Sequence, residues 1–105
     1  MERKLLLQIH AKTLKITTLD ILHAIKTASK IQKNIILIIS DLEYFNYEEW
    51  KEVVNQEIVI ERFHDGDNIE EIVIKYAKTK DQVVIVGGGI PCSHARKWGI
   101  ENVLL

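Results

Sequence analysis

Four short stretches carry groups that could do chemistry. The richest is Gly87-Gly88-Gly89-Ile90-Pro91-Cys92-Ser93-His94. Consecutive glycines let backbone amides approach a ligand, and a helix opening behind them turns its unsatisfied N–H groups outward, so the loop suits a carboxylate or a phosphate. Its plainer reading is a tight strand-to-helix turn that binds nothing. Cys92, with His94 two residues on, has the spacing for a thiol of lowered pKa, a nucleophile or redox sensor, although a lone cysteine also serves as a small packing residue. The hydroxyls of Thr17 and Thr18 suit a helix cap, a ligand contact, or both. Ser40-Asp41 offers another hydroxyl at the end of an apolar run, and His64-Asp65-Gly66 is either an acid–base pair or a solvated turn.

Other chemistries are disfavoured by spacing. In the pattern G-x-G-x-x-G the third glycine falls on Cys92, and the loop follows a late strand, so a nicotinamide or flavin site has little support. No G-x-x-x-x-G-K-[ST] is present to hydrolyse a nucleotide. His10 and His23 have no partner at metal-ligand spacing, and no Cys/His set has zinc-finger spacing, so neither a metal nor a cofactor is expected. Trp50 and Trp98 stand at helical positions among apolar residues, which predicts core or partner packing and not a base-stacking platform.

These groups need elements to position them. Thr17 or Thr18 begins a helix whose apolar face is Ile21, Leu22, Ala24, Ile25, Ala28 and Ile31, ending near Lys33-Asn34. Residues 35–39 are an unbroken aliphatic run, the pattern of a strand covered on both faces. Residues 47–55 read as an amphipathic helix with Tyr47, Trp50, Val53 and Val54 on its apolar side. Residues 57–63 alternate, as an edge strand does, and a turn over residues 64–67 leads to Asn68 as an N-cap. Ile69, Ile72, Val73, Tyr76 and Ala77 form the stripe of a third helix closed by Asp81-Gln82, and residues 83–86 are a second buried strand. Pro91 suits the first turn of a short helix that Gly99 terminates, and residues 102–105 form a last strand. An initial strand falls on residues 4–9 or on residues 12–16.

Alternating helices and strands joined by right-handed crossovers give an α/β fold: three layers, a parallel sheet of about five strands, helices on both faces. Ligands on such sheets collect beyond the carboxyl ends of the strands, where all four stretches lie. The chain has 105 residues of 12.1 kDa, 47% hydrophobic and 28% charged, the balance of one domain over residues 1–105. Its formal charge of -1 supplies no basic field for direct nucleic-acid binding. The longest apolar runs, residues 35–39 and 83–86, fall far short of the roughly 20 residues that cross a bilayer, and a single cysteine points to a reducing, cytoplasmic setting. The leucines at 5–7 end at Gln8, before signal-peptide length, and belong to the fold.

The order of motifs resembles a known family. Residues 15–25, the strand at 35–39 and residues 83–105 are similar to the second half of the N-terminal sensory domain of propionate catabolism activator (PrpR)-type sigma-54-dependent transcriptional regulators. A hydroxyl residue shortly before Asp20, a strand ending in glycine, the Cys92-x-x-Ala95 helix and the run Gly99-Ile100-x-x-Val103-Leu104 carry the likeness. The resemblance implies one flavodoxin-like lobe of a two-lobed sensor with a small organic acid between its lobes. It favours residues 12–16 as the first strand and residues 3–8 as a remnant of the helix joining the lobes. Implied partners are the effector, the first lobe, and the ATPase and DNA-binding domains of a parent regulator, with homodimerisation open. Residues 30–33 lack a glycine common in the family, and residues 44–47 are more aromatic than a citrate-like ligand leads one to expect. A competing resemblance is that of Gly88-Gly89-Ile90-Pro91 to the glycine-rich loop of cobalamin-binding enzyme modules, whose Asp-x-His-x-x-Gly ligand loop this sequence lacks. The reading is therefore a non-catalytic ligand-sensing lobe, with Thr17, Thr18, Ser40, Gly87, Gly88, Gly89 and Cys92 as its ligand-binding residues. An anion is expected between the Thr17-Thr18 helix start and the glycine loop, on the first and fourth strands of a doubly wound order.

Overall fold

The computed structural model describes residues 16–64 and 68–105. Helix α1 (Thr18–Ser29) is opened by a capping box: Thr17 Oγ1 accepts from Asp20 N at 3.1 Å, and the Asp20 carboxylate accepts from Thr17 N at 2.9 Å. Ile21, Ala24, Ile25 and Ala28 share its buried face. The helix stops at Ser29, short of the expected Lys33-Asn34, because the amides of Lys30, Ile31 and Gln32 turn back onto Thr27, Ala28 and Ser29. Gln32 completes that turn at φ 61°, a conformation glycine adopts without strain.

Strand β1 (Asn34–Ser40) is the centre of the molecule. Strand β2 (Ile58–Phe63) pairs with one side of it, β3 (Val83–Gly87) with the other, and β4 (Glu101–Leu104) lies beyond β3, all parallel in the order β2-β1-β3-β4. Side chains alternate across the sheet. Ile35, Leu37, Ile39, Val84 and Val86 face α1, with helix α2 (Tyr47–Val54) leaning on the same side through Tyr47, Trp50 and Val54. Ile36, Ile38, Val83 and Ile85 face helix α3 (Ile69–Ile74) and helix α4 (Gly89–Lys97). The three-layer α/β architecture follows. Four strands of the expected five lie among the described residues; the strand expected over residues 12–16 falls outside them, except Ile16, which is in no strand.

Local departures have local reasons. Val53 is 71% exposed, because α2 rests lightly on the sheet and none of its residues is fully buried. The third helix ends at Ile74 and a 3₁₀ segment (Ala77–Gln82) replaces the rest, since the β-branched run Ile72-Val73-Ile74 gives an α-helix little intrinsic support. Asn68 stands at the N-cap of α3 without a side-chain cap bond. Trp98 is partly exposed and donates from Nε1 to Glu70 at 3.3 Å instead of joining the core.

Candidate ligand-binding site

In the observed strand order the connections run outward in opposite directions from β1 and β3, so the topological switch point lies between the carboxyl ends of these two strands, at Ser40 and Gly87. Strand β1 stands directly beside β3, with Ile38 opposite Gly87, while the first strand expected over residues 12–16 lies outside the described residues except Ile16.

Gly87 is a packing residue. A Cβ there would lie 2.9 Å from Pro91 Cβ and 3.0 Å from the Ile38 carbonyl oxygen. Gly88 and Gly89 differ, for among the described residues a Cβ at either meets nothing within 4 Å and neither has a positive φ. The fold does not ask for glycine at these two positions, whereas close approach of a ligand to the backbone would. Gly88 is the N-cap of α4 and supplies no side-chain cap, and no acidic residue occupies the first turn. Pro91, in the first turn of the helix as expected, is its third residue and has no N–H, and Cys92 N already donates to Gly88 O at 3.1 Å. The outward donors are therefore the amides of Gly89 and Ile90. Ile90 was not legible as a site residue because its contribution is backbone, not side chain.

Cys92 sits beneath this loop. Its thiol is fully buried, 3.4 Å from Gly87 O and 3.5 Å from Val103 O, and burial pushes its pKa up. Of the two readings of Cys92, the burial fits the packing residue: His94 Nδ1 faces Glu70 at 3.6 Å and not the thiol, and the Cys92 amide is bonded within the helix. Ser40 continues the Ile36 and Ile38 row, on the side of the sheet that carries α4. Its Oγ accepts from Leu42 N at 3.1 Å, which leaves its proton to donate. Thr17 and Thr18 start α1 on the opposite face, where the Thr17 amide donates to the Asp20 carboxylate and the Thr17 hydroxyl oxygen accepts from the Asp20 amide. The backbone N–H of Thr17 holds the Asp20 carboxyl below the usual range, so this helix start already carries its own anion.

The loop after β1 is held by the end of β2. Arg62 Nη1 donates to Ser40 O at 3.2 Å and Glu43 O at 2.8 Å, and Nη2 to Phe45 O at 3.2 Å. His64 Nδ1 lies 2.7 Å from Asp41 Oδ2, while Asp65, expected beside it, is outside the described residues. Among the described residues, none of four depressions of about 410 to 570 Å³ is lined by Thr17, Thr18, Ser40 or residues 87–92. Among the described residues no group of three His, Cys, Asp or Glu could hold a metal ion, and no helix is long and apolar enough to cross a membrane.

A model of the propionate catabolism activator family matches residues 7–105. The chain belongs to the PrpR N-terminal domain family. It is accordingly a regulatory sensory domain of α/β architecture. No curated protein sequence matches it. Among solved structures, the crystal structure of an NtrC family transcriptional regulator from Clostridium acetobutylicum superposes with a TM-score of 0.75 at 22% identity, over 86% of this chain and 48% of that one. The PrpR-type domain thus spans about half of that regulator structure, and the likeness is one of fold.

Proposed function

We propose that the chain is the ligand-sensing lobe of a sigma-54-dependent transcriptional regulator in the cytoplasm, that it binds a small organic acid at the β1/β3 switch point, and that it catalyses nothing. The observation that carries this reading is the start of α4, where two glycines that the fold does not require precede two uncapped amides with no carboxylate in the turn. Gly88 and Gly89 admit the acid, the amides of Gly89 and Ile90 and the hydroxyl of Ser40 donate to it, and Gly87 and Cys92 support the loop from below. Thr17 and Thr18 border the crevice from the other face. A second lobe, an ATPase and a DNA-binding domain complete the parent protein in this reading. It is supported by the family match and by the fraction of the structural neighbour that the chain covers.

With half of a two-lobed cleft, the acid loses about half of its contacts, and a loss of several kcal/mol turns micromolar affinity into millimolar. Citrate and succinate titrated into ¹⁵N-labelled protein are expected to shift the amides of Gly88, Gly89, Ile90 and Ser40 first. Shifts clustered on Glu48, Glu49 and Glu52, or shifts that fade with ionic strength as surface charge does, would refute the site. Turnover of such an acid, lost on His94→Ala, would refute the non-catalytic part.

A further inference from the structure

We propose that Arg62 is the positioning residue of this site: its guanidinium fixes the segment after β1 so that the Ser40 hydroxyl is held toward the start of α4. The proposal rests on the acid-binding reading above and adds the residue that sets its geometry. Arg62 stands opposite Ile39 in the β1–β2 register, and Ser40 is the last residue of β1. Between that strand end and the Asn46 cap of α2, the carbonyls of Ser40, Glu43 and Phe45 point away from any ladder, and buried or half-buried carbonyls need donors. A planar fork of five N–H donors can serve three diverging acceptors at once, as Arg62 does at 2.8 to 3.2 Å. The same end of β2 grips the loop twice more, through Asp41 N to Phe63 O at 2.9 Å and through His64 on Asp41 at 2.7 Å.

The consequence reaches Ser40 through its own bonds. Leu42 N donates to Ser40 Oγ and Glu43 N to Ser40 O, so the conformation of residues 42–43 sets the direction of the hydroxyl, and Arg62 sets that conformation. Adjacent strands lie about 4.8 Å apart, which brings a hydroxyl at the end of β1 within reach of a carboxylate seated on the amides after β3. The Ser40 proton and the amides of Gly89 and Ile90 are donors, which suits a carboxylate as the ligand.

The test uses Arg62→Gln, Arg62→Lys, Ser40→Ala and the double variant Arg62→Gln/Ser40→Ala, read by amide exchange and by citrate titration. Arg62→Gln is expected to speed exchange at Glu43 and neighbouring amides and to weaken citrate roughly threefold to tenfold, the range set by one or two lost hydrogen bonds. Arg62→Lys restores this only in part, because an ammonium cannot reproduce the fork. In the Ser40→Ala background the Arg62 change costs less than about twofold, since the group it positions is gone. Equal weakening in both backgrounds, as a general loss of structure would give, overturns the proposal, and so does citrate binding unchanged in Arg62→Gln. If wild-type protein ignores citrate, the acid-binding reading fails by itself. Faster exchange in Arg62→Gln then still supports the loop clamp, and unchanged exchange overturns it.

Discussion

Two glycines two positions apart, Gly87 and Gly89, carry opposite predictions. Gly87→Ala forces a methyl against Pro91 and the Ile38 carbonyl, and overpacking of this kind costs about 1–3 kcal/mol, to be read as a lowered melting temperature. Gly89→Ala places its methyl in open space on a helix and is expected to leave stability unchanged or slightly raised, while weakening citrate by crowding the amide. A melting loss of similar size for both would mean that the loop is only a turn. Cys92 makes a prediction in pH. Burial raises the thiol pKa above its ordinary 9.0, so the folded state holds a proton that the unfolded state releases first. Stability from this group is present below that value and falls as pH rises through the raised folded pKa, and Cys92→Ala should flatten the alkaline limb of a stability–pH curve. The sequence showed the glycine run and the cysteine but not the division of labour among them, which depends on Pro91 falling at the third helical position.

At the scale of elements, the repeating patterns were legible and their ends were not. The aliphatic run of β1 and the alternation of β2 appear where hydrophobic burial demands them, because the side-chain period is a property of the chain itself. Helix ends depend on bonds among a few residues, and Gln32 shows the cost. A non-glycine residue held at φ 61° is strained by roughly 1 kcal/mol, so Gln32→Gly is expected to stabilise the protein by about 0.5–1 kcal/mol in denaturant unfolding. No gain, or a loss, would show that the glutamine side chain supports the turn. The link between β2 and α3 is polar: the Glu61 carboxylate takes hydrogen bonds from the Tyr76 hydroxyl and, at 3.0 Å, from Lys75 Nζ. Burial raises the Glu61 pKa, yet these bonds outweigh it and hold the group below its ordinary 4.5, while burial and then Glu61 push Tyr76 upward. The sign follows from the lowered value: the contribution is full above 4.5 and is lost as pH falls through the folded pKa. Glu61→Gln should therefore lower stability at neutral pH and remove part of the acid transition.

For the whole molecule the deciding fact is strand order, which no local pattern contains. The motifs place Thr17 and Gly88 at carboxyl-end loops, but only the pairing of β1 directly with β3 moves the switch point to Ser40. The starts of α1 and α4 then differ in charge and in side. Helix α1 lies across the sheet from Ser40 and is capped by its own Asp20, whose carboxylate repels a second anion and already occupies the Thr17 amide, while the Thr17 hydroxyl oxygen accepts from the Asp20 amide. Helix α4 lies on the Ser40 side with no acidic residue in its first turn. Ser40→Ala and Thr17→Ala should consequently separate binding from stability. The first removes a hydrogen bond to a charged ligand, worth about 1.5 kcal/mol or roughly tenfold in citrate affinity, with little change in melting. The second removes a helix cap, costs about 1 kcal/mol of stability, and leaves the citrate shifts at Gly89 and Ile90 nearly as they were. Citrate affinity that follows Thr17 and not Ser40 would move the site to the other face and to the start of α1.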